Sequence, residues 1–251
     1  MAIDYGFKTL LSFYSEEFVR FIRNLGVIEE MKPIKTMGPI ELIIQDRPLR
    51  LDFVITVGDR YIIIESKSEG DFLREEDLYT LSIYAIGLAK REKVSMTQIN
   101  ERIITLVVVS RRRNIKCPTI PIHRGLYRIP LPTTTYALIV DELKVEPEVF
   151  WLKVLSKDGR RELYKFARER RNLKIIGVLL LIDSAIRALA MSEEKIISEA
   201  LREIGETIGY DKLIRIFAEN EEELARALRE IGETIGYDKL IRIFAENEEE
   251  L

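Results

Sequence analysis

Two carboxylates and an ammonium, Asp52, Glu65 and Lys67, fall within one short apolar stretch of this chain. Where such groups converge they suit phosphodiester hydrolysis. Hard divalent cations prefer carboxylate oxygens. A bound metal acidifies water and neutralises phosphate charge, and an ammonium steadies the charge that develops on phosphorus oxygens. The spacing predicts that they do converge. Gly58-Asp59 suits a two-residue hairpin turn. With Val57 opposite Arg60, counting back along one strand and forward along the other brings Asp52 opposite Glu65, with Cβ atoms about 4.5–5.5 Å apart. Lys67 lies two residues past Glu65 and therefore projects to the same face. Like charges opposed in strands of Leu, Phe, Val and Ile are destabilising. A cation such as Mg²⁺ or Mn²⁺ would relieve that repulsion.

The elements that must position these groups are legible around them. Phe7, Leu10, Leu11, Tyr14, Phe18, Phe21, Ile22 and Leu25 form one helical stripe, and Gly26 is a natural stop. Ile40–Ile44, Leu49–Val57 and Tyr61–Lys67 read as strands. Asp71–Lys90 reads as a helix with apolar residues on several sides, expected to be well buried. Ile103–Ser110 reads as a strand buried on both faces. Residues 111–135, with Pro118, Pro121, Pro130 and Pro132, are expected to be irregular. Thr135–Val140 reads as a further strand and Pro147–Leu155 as a short helix; helical signals dominate from Arg160. This order predicts an α/β fold, an α+β mixed-sheet domain over residues 1–158, with a helical region over 159–251.

The stretch from Arg50 to Lys67 resembles the PD-(D/E)XK nuclease superfamily. Asp52 matches the first acid and Glu65-Ser66-Lys67 the (D/E)-x-K tripeptide; Leu51 stands where the family name has proline. The likeness covers about residues 5–110. It implies a restriction-endonuclease-like core of a helix, a three-strand meander, a helix and a strand. It further implies metal binding by Asp52, Glu65 and the Ser66 carbonyl, and a catalytic Lys67. Many members also use an acid on the first helix. Glu17, at the edge of the apolar stripe, is preferred here over Glu16, which faces away from it; Glu41 is the competitor. A narrower likeness is to the transposase-like, recombination-promoting nuclease branch. Glu41, Asp52, Glu65-x-Lys67, Arg74, Tyr84 and the tyrosine-bearing helical tail carry it, although members of that branch often have glutamine where Lys67 stands.

Composition is permissive. The chain has 251 residues, 47% hydrophobic and 32% charged, enough for a sizeable core and a solvated surface. Its charged, isoleucine-rich, glutamine-poor make-up resembles that of thermophile proteins. Residues 1–175 hold 30 Lys/Arg against 24 Asp/Glu, whereas residues 176–251 hold 9 against 18. The first part therefore suits a nucleic-acid partner and the second does not. Arg111-Arg112-Arg113 and the cluster Arg160, Arg161, Arg168, Arg170 and Arg171 are candidates for phosphate contact, or for solvated surface. One histidine, His123, and one cysteine, Cys117, exclude His-based triads, multi-His metal sites within one chain and internal disulfides. No phosphate-binding loop, dinucleotide glycine pattern or zinc spacing occurs. The longest apolar run, 175–182, is too short for a bilayer, and a cytoplasmic location is expected. Residues 200–224 recur unchanged at 227–251, a pattern of helical-hairpin arrays. The expectation is a Mg²⁺-dependent DNA endonuclease, and a homodimer, because cutting two strands needs two sites. The alternative is a catalytically silent nuclease-fold module that binds DNA or protein and assembles through its helical tail.

Overall fold

The computed structural model describes residues 2–29, 34–37, 40–44, 47–51, 53–143, 146–190 and 194–209. The chain divides into two compact units, Phe7–Gly159 and Met1–Gly6 with Arg160–Leu251.

The larger unit is built on a seven-stranded mixed sheet. Its strands are β1 (Ile34–Met37), β4 (Phe53–Val57), β5 (Arg60–Lys67), β6 (Ile103–Val109), β7 (Ile120–His123), β8 (Leu126–Ile129) and β9 (Thr135–Ile139). Their spatial order is β1-β4-β5-β6-β9-β8-β7. β5 pairs with β6 and β6 with β9 in parallel; the other neighbours are antiparallel. β2 (Ile40–Ile44) and β3 (Arg47–Leu51) form a separate antiparallel hairpin.

The β4–β5 turn follows the sequence expectation. Val57 pairs with Arg60, Phe53 pairs with Ile64, and Gly58 takes φ +63°, a conformation open to glycine at little steric penalty. β6, apolar except for Thr105, is buried at every position. Helix α3 (Glu75–Arg91) and the one-turn helix α4 (Ile99–Arg102) join β5 to β6. Ala85, Leu88 and Ala89 of α3 pack with Val54 and Ile63 of the sheet, and with Leu51 and Ile40 of the small hairpin. Farther along, Leu81 joins Leu73, Val107 and Val109.

Four expectations are corrected. The run 49–57 is not one strand: its start belongs to β3 in the hairpin and its end to β4 in the main sheet. In the main sheet β4 is flanked by β1 and β5. Period-two hydrophobicity marks a strand without naming its partner, which tertiary packing selects.

Second, the first apolar stripe is carried by two helices, α1 (Ala2–Phe13) and α2 (Ser15–Asn24), with a break at Tyr14. The Ser12 hydroxyl donates to the Thr9 carbonyl at 2.7 Å, a local bond that competes with continued helix. The stripe still buries as one surface: Phe7, Tyr14 and Phe18 all meet Trp151, with ring centroids 5.6, 6.3 and 5.8 Å away. Gly26 ends α2 with φ +79°.

Third, residues 111–135 contain β7 and β8. Pro121 is tolerated because β7 is an edge strand, where a missing donor faces no second partner. Pro130 follows β8 directly. Fourth, α3 is not buried all round: Tyr79, Ile83 and Ile86 are 76%, 40% and 42% exposed.

The second unit is helical, with α5 (Lys157–Glu169), α6 (Leu173–Ile182), α7 (Ser184–Ala190) and α8 (Glu194–Ile208). α6 is buried from Ile175 to Leu181. Gly177 lets α8 approach closely: a Cβ there would lie 2.1 Å from Ile204 Cγ1 and 2.8 Å from the Ala200 carbonyl oxygen. Of the sequence repeat, residues 200–208 complete α8 and Gly209 follows it; the remainder lies outside the described residues. Among the described residues no helix is long and apolar enough to cross a membrane.

Candidate active site

Alternation along β5 assigns the faces. Tyr61 and Ile63 point towards α3 and join its apolar cluster, so Glu65 and Lys67 lie on that same face. The apolar seam between sheet and helix thus ends in a polar cap. Ser66 sits on the opposite side of the strand and pairs through its backbone position with Val108 of β6.

At the cap, Lys67 Nζ stands 4.0 Å from Glu65 Oε1 and 3.5 Å from Asp77 Oδ1. The Lys67, Glu65 and Asp77 side chains are 18%, 24% and 32% exposed. The ammonium is therefore held between two half-buried carboxylates at distances longer than a tight charge-assisted bond. Asp77 is fixed independently. Its Oδ2 accepts from the backbone N–H of Arg74 at 2.8 Å, which satisfies a donor at the start of α3 and places negative charge in the first helical turn.

The loop from Lys67 to Arg74 is clamped from below. The two N–H bonds of the buried Asn114 amide, one of them shared, serve the carbonyls of Ser68, Glu69 and Asp71 at 3.1, 2.9 and 2.6 Å from Nδ2. Leu73 forms a parallel bridge with Ile115, and its N–H donates to the Asn114 carbonyl at 2.9 Å. Ser68 Oγ donates to Asp71 at 2.6 Å. The strand bearing Glu65 and Lys67 and the helix bearing Asp77 are consequently held in one register by a short, well-bonded connection.

Charge around the helix start also reaches Cys117. Burial pushes its thiol up from the ordinary value, and the nearby Asp77 and Glu75 carboxylates push it further. That direction favours the less reactive protonated form, because the thiolate is the nucleophile.

Glu65, Ser66 and Lys67 thus lie at the end of β5. Asp52 lies outside the described residues. Glu17, on α2, lines a cleft of about 240 Å³ with Arg20, Phe21, Asn24, Glu146, Glu148 and Val149; neither Glu65 nor Lys67 lines that cleft. Glu16 is exposed. Glu41 pairs with Arg50 in the β2–β3 ladder, and its side chain is outside the described set.

Among the described residues no group of three or more His, Cys, Asp or Glu side chains stands close enough to hold a metal. Glu65 and Asp77 supply two carboxylates around a site already occupied by a cation, the Lys67 ammonium. A donor set of one or two carboxylates fits Mg²⁺, which retains several waters.

The arginine clusters are largely engaged. Arg111 pairs with Glu69 at 2.8 Å and with Asp158 at 3.4 Å, and Arg113 with Glu69 at 3.6 Å. Arg112 lies 4.5 Å over the Tyr127 ring. In the helical unit, Arg160 pairs with Asp183 in the interior, and Arg170 lies 4.0 Å over Phe166. His123 sits on the exposed edge strand, where its Nδ1 accepts from the Arg124 N–H at 2.9 Å.

Two residues of the site were missed by sequence reasoning. Asp77 carried a faint signal, an acid three residues after the helix boundary at Arg74. Asn114 carried none, since its three acceptors lie more than 40 positions away in the chain.

No family model, curated protein or solved structure matches this chain.

Proposed function

We propose that the protein is a metal-dependent DNA endonuclease that hydrolyses phosphodiester bonds, with a core of the PD-(D/E)XK type. One observation carries the reading: Glu65 and Lys67 lie on one face at the end of a buried strand, held in place by Asp77 and a clamped loop. The chain order also agrees with the resemblance. Helices precede the antiparallel trio β1-β4-β5, and α3 then leads into β6 parallel to β5.

In this reading Glu65, Asp52 and the Ser66 carbonyl would hold Mg²⁺ or Mn²⁺. When bound, such an ion would acidify a water and neutralise phosphate charge. Lys67 leaves Asp77 and Glu65 to donate to the attacking water or to a non-bridging phosphate oxygen. Its contacts to them, at 3.5 and 4.0 Å, are longer than a tight charge-assisted bond. Asp77 holds the resting ammonium at the end of β5 and does not touch substrate, so it is a positioning residue.

A second reading keeps the fold as a DNA- or protein-binding module without turnover. It is favoured by the same cluster, in which the ammonium already has two carboxylate partners and the charges close on themselves.

Supercoiled plasmid and branched DNA incubated with Mg²⁺ or Mn²⁺ separate the two readings. Cutting by the native chain, abolished in Asp52→Asn and reduced at least ~100-fold in Lys67→Ala, supports the nuclease. DNA binding without cutting by a folded native chain supports the binding module.

A further inference from the structure

α3 buries one side against the sheet and leaves the other bare. Its outward stripe runs Glu76, Tyr79, Ile83, Ile86 and Lys90, residues three or four apart on one helical face. Tyr79 is 76% exposed, Ile83 40% and Ile86 42%, and both Glu76 and Lys90 are exposed. Contiguous exposed apolar side chains rimmed by charge mark interaction surfaces, unlike a single exposed leucine or isoleucine. This helix starts at the site and packs along the sheet's central strands, so its face is rigid.

The stripe is self-complementary. Ile83 lies midway between Glu76 and Lys90, seven residues from each. A two-fold axis through Ile83, perpendicular to the helix, lays a second α3 antiparallel on the first. Ile83 then meets its own counterpart, Tyr79 lies near Ile86 of the other copy, and Glu76 meets Lys90 at both ends. A two-fold interface requires such self-matching of one patch. The opposite arrangement, parallel helices, would set Glu76 against Glu76 and Lys90 against Lys90.

We infer that this α3 face is the interface of a homodimer in which two copies of this chain pack antiparallel about Ile83. The inference stands apart from the nuclease reading, since it uses no residue of the Lys67 cluster and no activity.

Light scattering and sedimentation velocity on the full chain test it. The native chain is expected to be a dimer at high concentration that dissociates on dilution. Ile83→Arg sets two guanidinium groups face to face and is expected to give a monomer with an unchanged circular dichroism spectrum. The exposed charge pair keeps the test sound if that variant misfolds. Glu76→Lys alone and Lys90→Glu alone should each weaken association at least ~10-fold, the size of a lost and reversed ion pair at both ends, and the double exchange should restore it. A native chain that stays monomeric overturns the inference, whether another protein or another segment covers the stripe. So does a dimer that survives both Ile83→Arg and the single charge reversals.

Discussion

The Lys67 cluster and the Arg160–Asp183 pair are both ion pairs within folded units, and they are built in opposite ways. Arg160 and Asp183 are only 9% and 10% exposed, and the guanidinium Nε donates directly to the carboxylate. Asp183 Oδ1 also accepts from the backbone N–H groups of Ala185 and Ile186, at 3.0 and 3.3 Å, and so caps α7. This is a closed lock, with its charge desolvated and its oxygens used. Lys67 instead stands at 3.5 and 4.0 Å from two carboxylates that remain partly open to solvent. Close, saturated geometry holds a fold together; loose geometry on a rigid frame lets a cation exchange partners.

The contrast is most exposed to disproof at the lock. Arg160→Ala should destabilise the chain by about 3–5 kcal/mol, since it strands a buried carboxylate. Chemical denaturation with and without the substitution measures this. A loss below about 1 kcal/mol would place the pair with ordinary surface ion pairs.

Lys67→Ala and Asp77→Asn should behave differently, each shifting stability by less than about 1 kcal/mol. The amide oxygen that Asp77→Asn introduces can still accept from the Arg74 N–H, so α3 keeps its start. In the nuclease reading, both substitutions lower cleavage far more than stability. A large stability loss at either position would make the cluster structural.

Smaller shifts refine the contrast around Asp77. Alkylation of Cys117 near neutral pH should be slower than that of a free thiol, because burial and the nearby acids keep the thiol protonated. Asp77→Asn should speed it modestly. An unchanged rate would mean that Asp77 exerts no field there.

Asp141 gives the smallest effect. Partial burial raises its carboxyl above the usual 3.8, although the residue lies at the exposed surface and the Arg112 backbone hydrogen bond opposes the shift. The folded state therefore binds the proton more tightly than the unfolded chain does. That contribution to stability is present below pH 3.8 and is lost as pH rises through the higher folded value. Asp141→Asn should flatten this decline in thermal melts recorded across that window.

Some of the architecture was legible residue by residue. The apolar run of β6 admitted only a strand covered on both faces. Gly58-Asp59 set the β4–β5 register, because only a hairpin turn fits two residues there. That register and the alternation of β5 were enough to place Glu65 and Lys67 on one face. The prolines of 111–135 concealed β7 and β8, since proline forbids a central strand while permitting an edge. The divided run 49–57 was equally hidden, as each half satisfies the same alternation with a different partner.

What could be read from residue order alone is local: periodicity, turn chemistry and the spacing of the acids and the lysine. Those depend on neighbours a few residues away, whose geometry is fixed by the backbone. Assembly of the whole domain was needed to bring Asp77 back to Lys67, to clamp the connecting loop with Asn114 and to leave one face of α3 bare. Each of those depends on which distant surfaces come together, and burial of the same apolar residues can be satisfied by several such pairings until the whole sheet is in place.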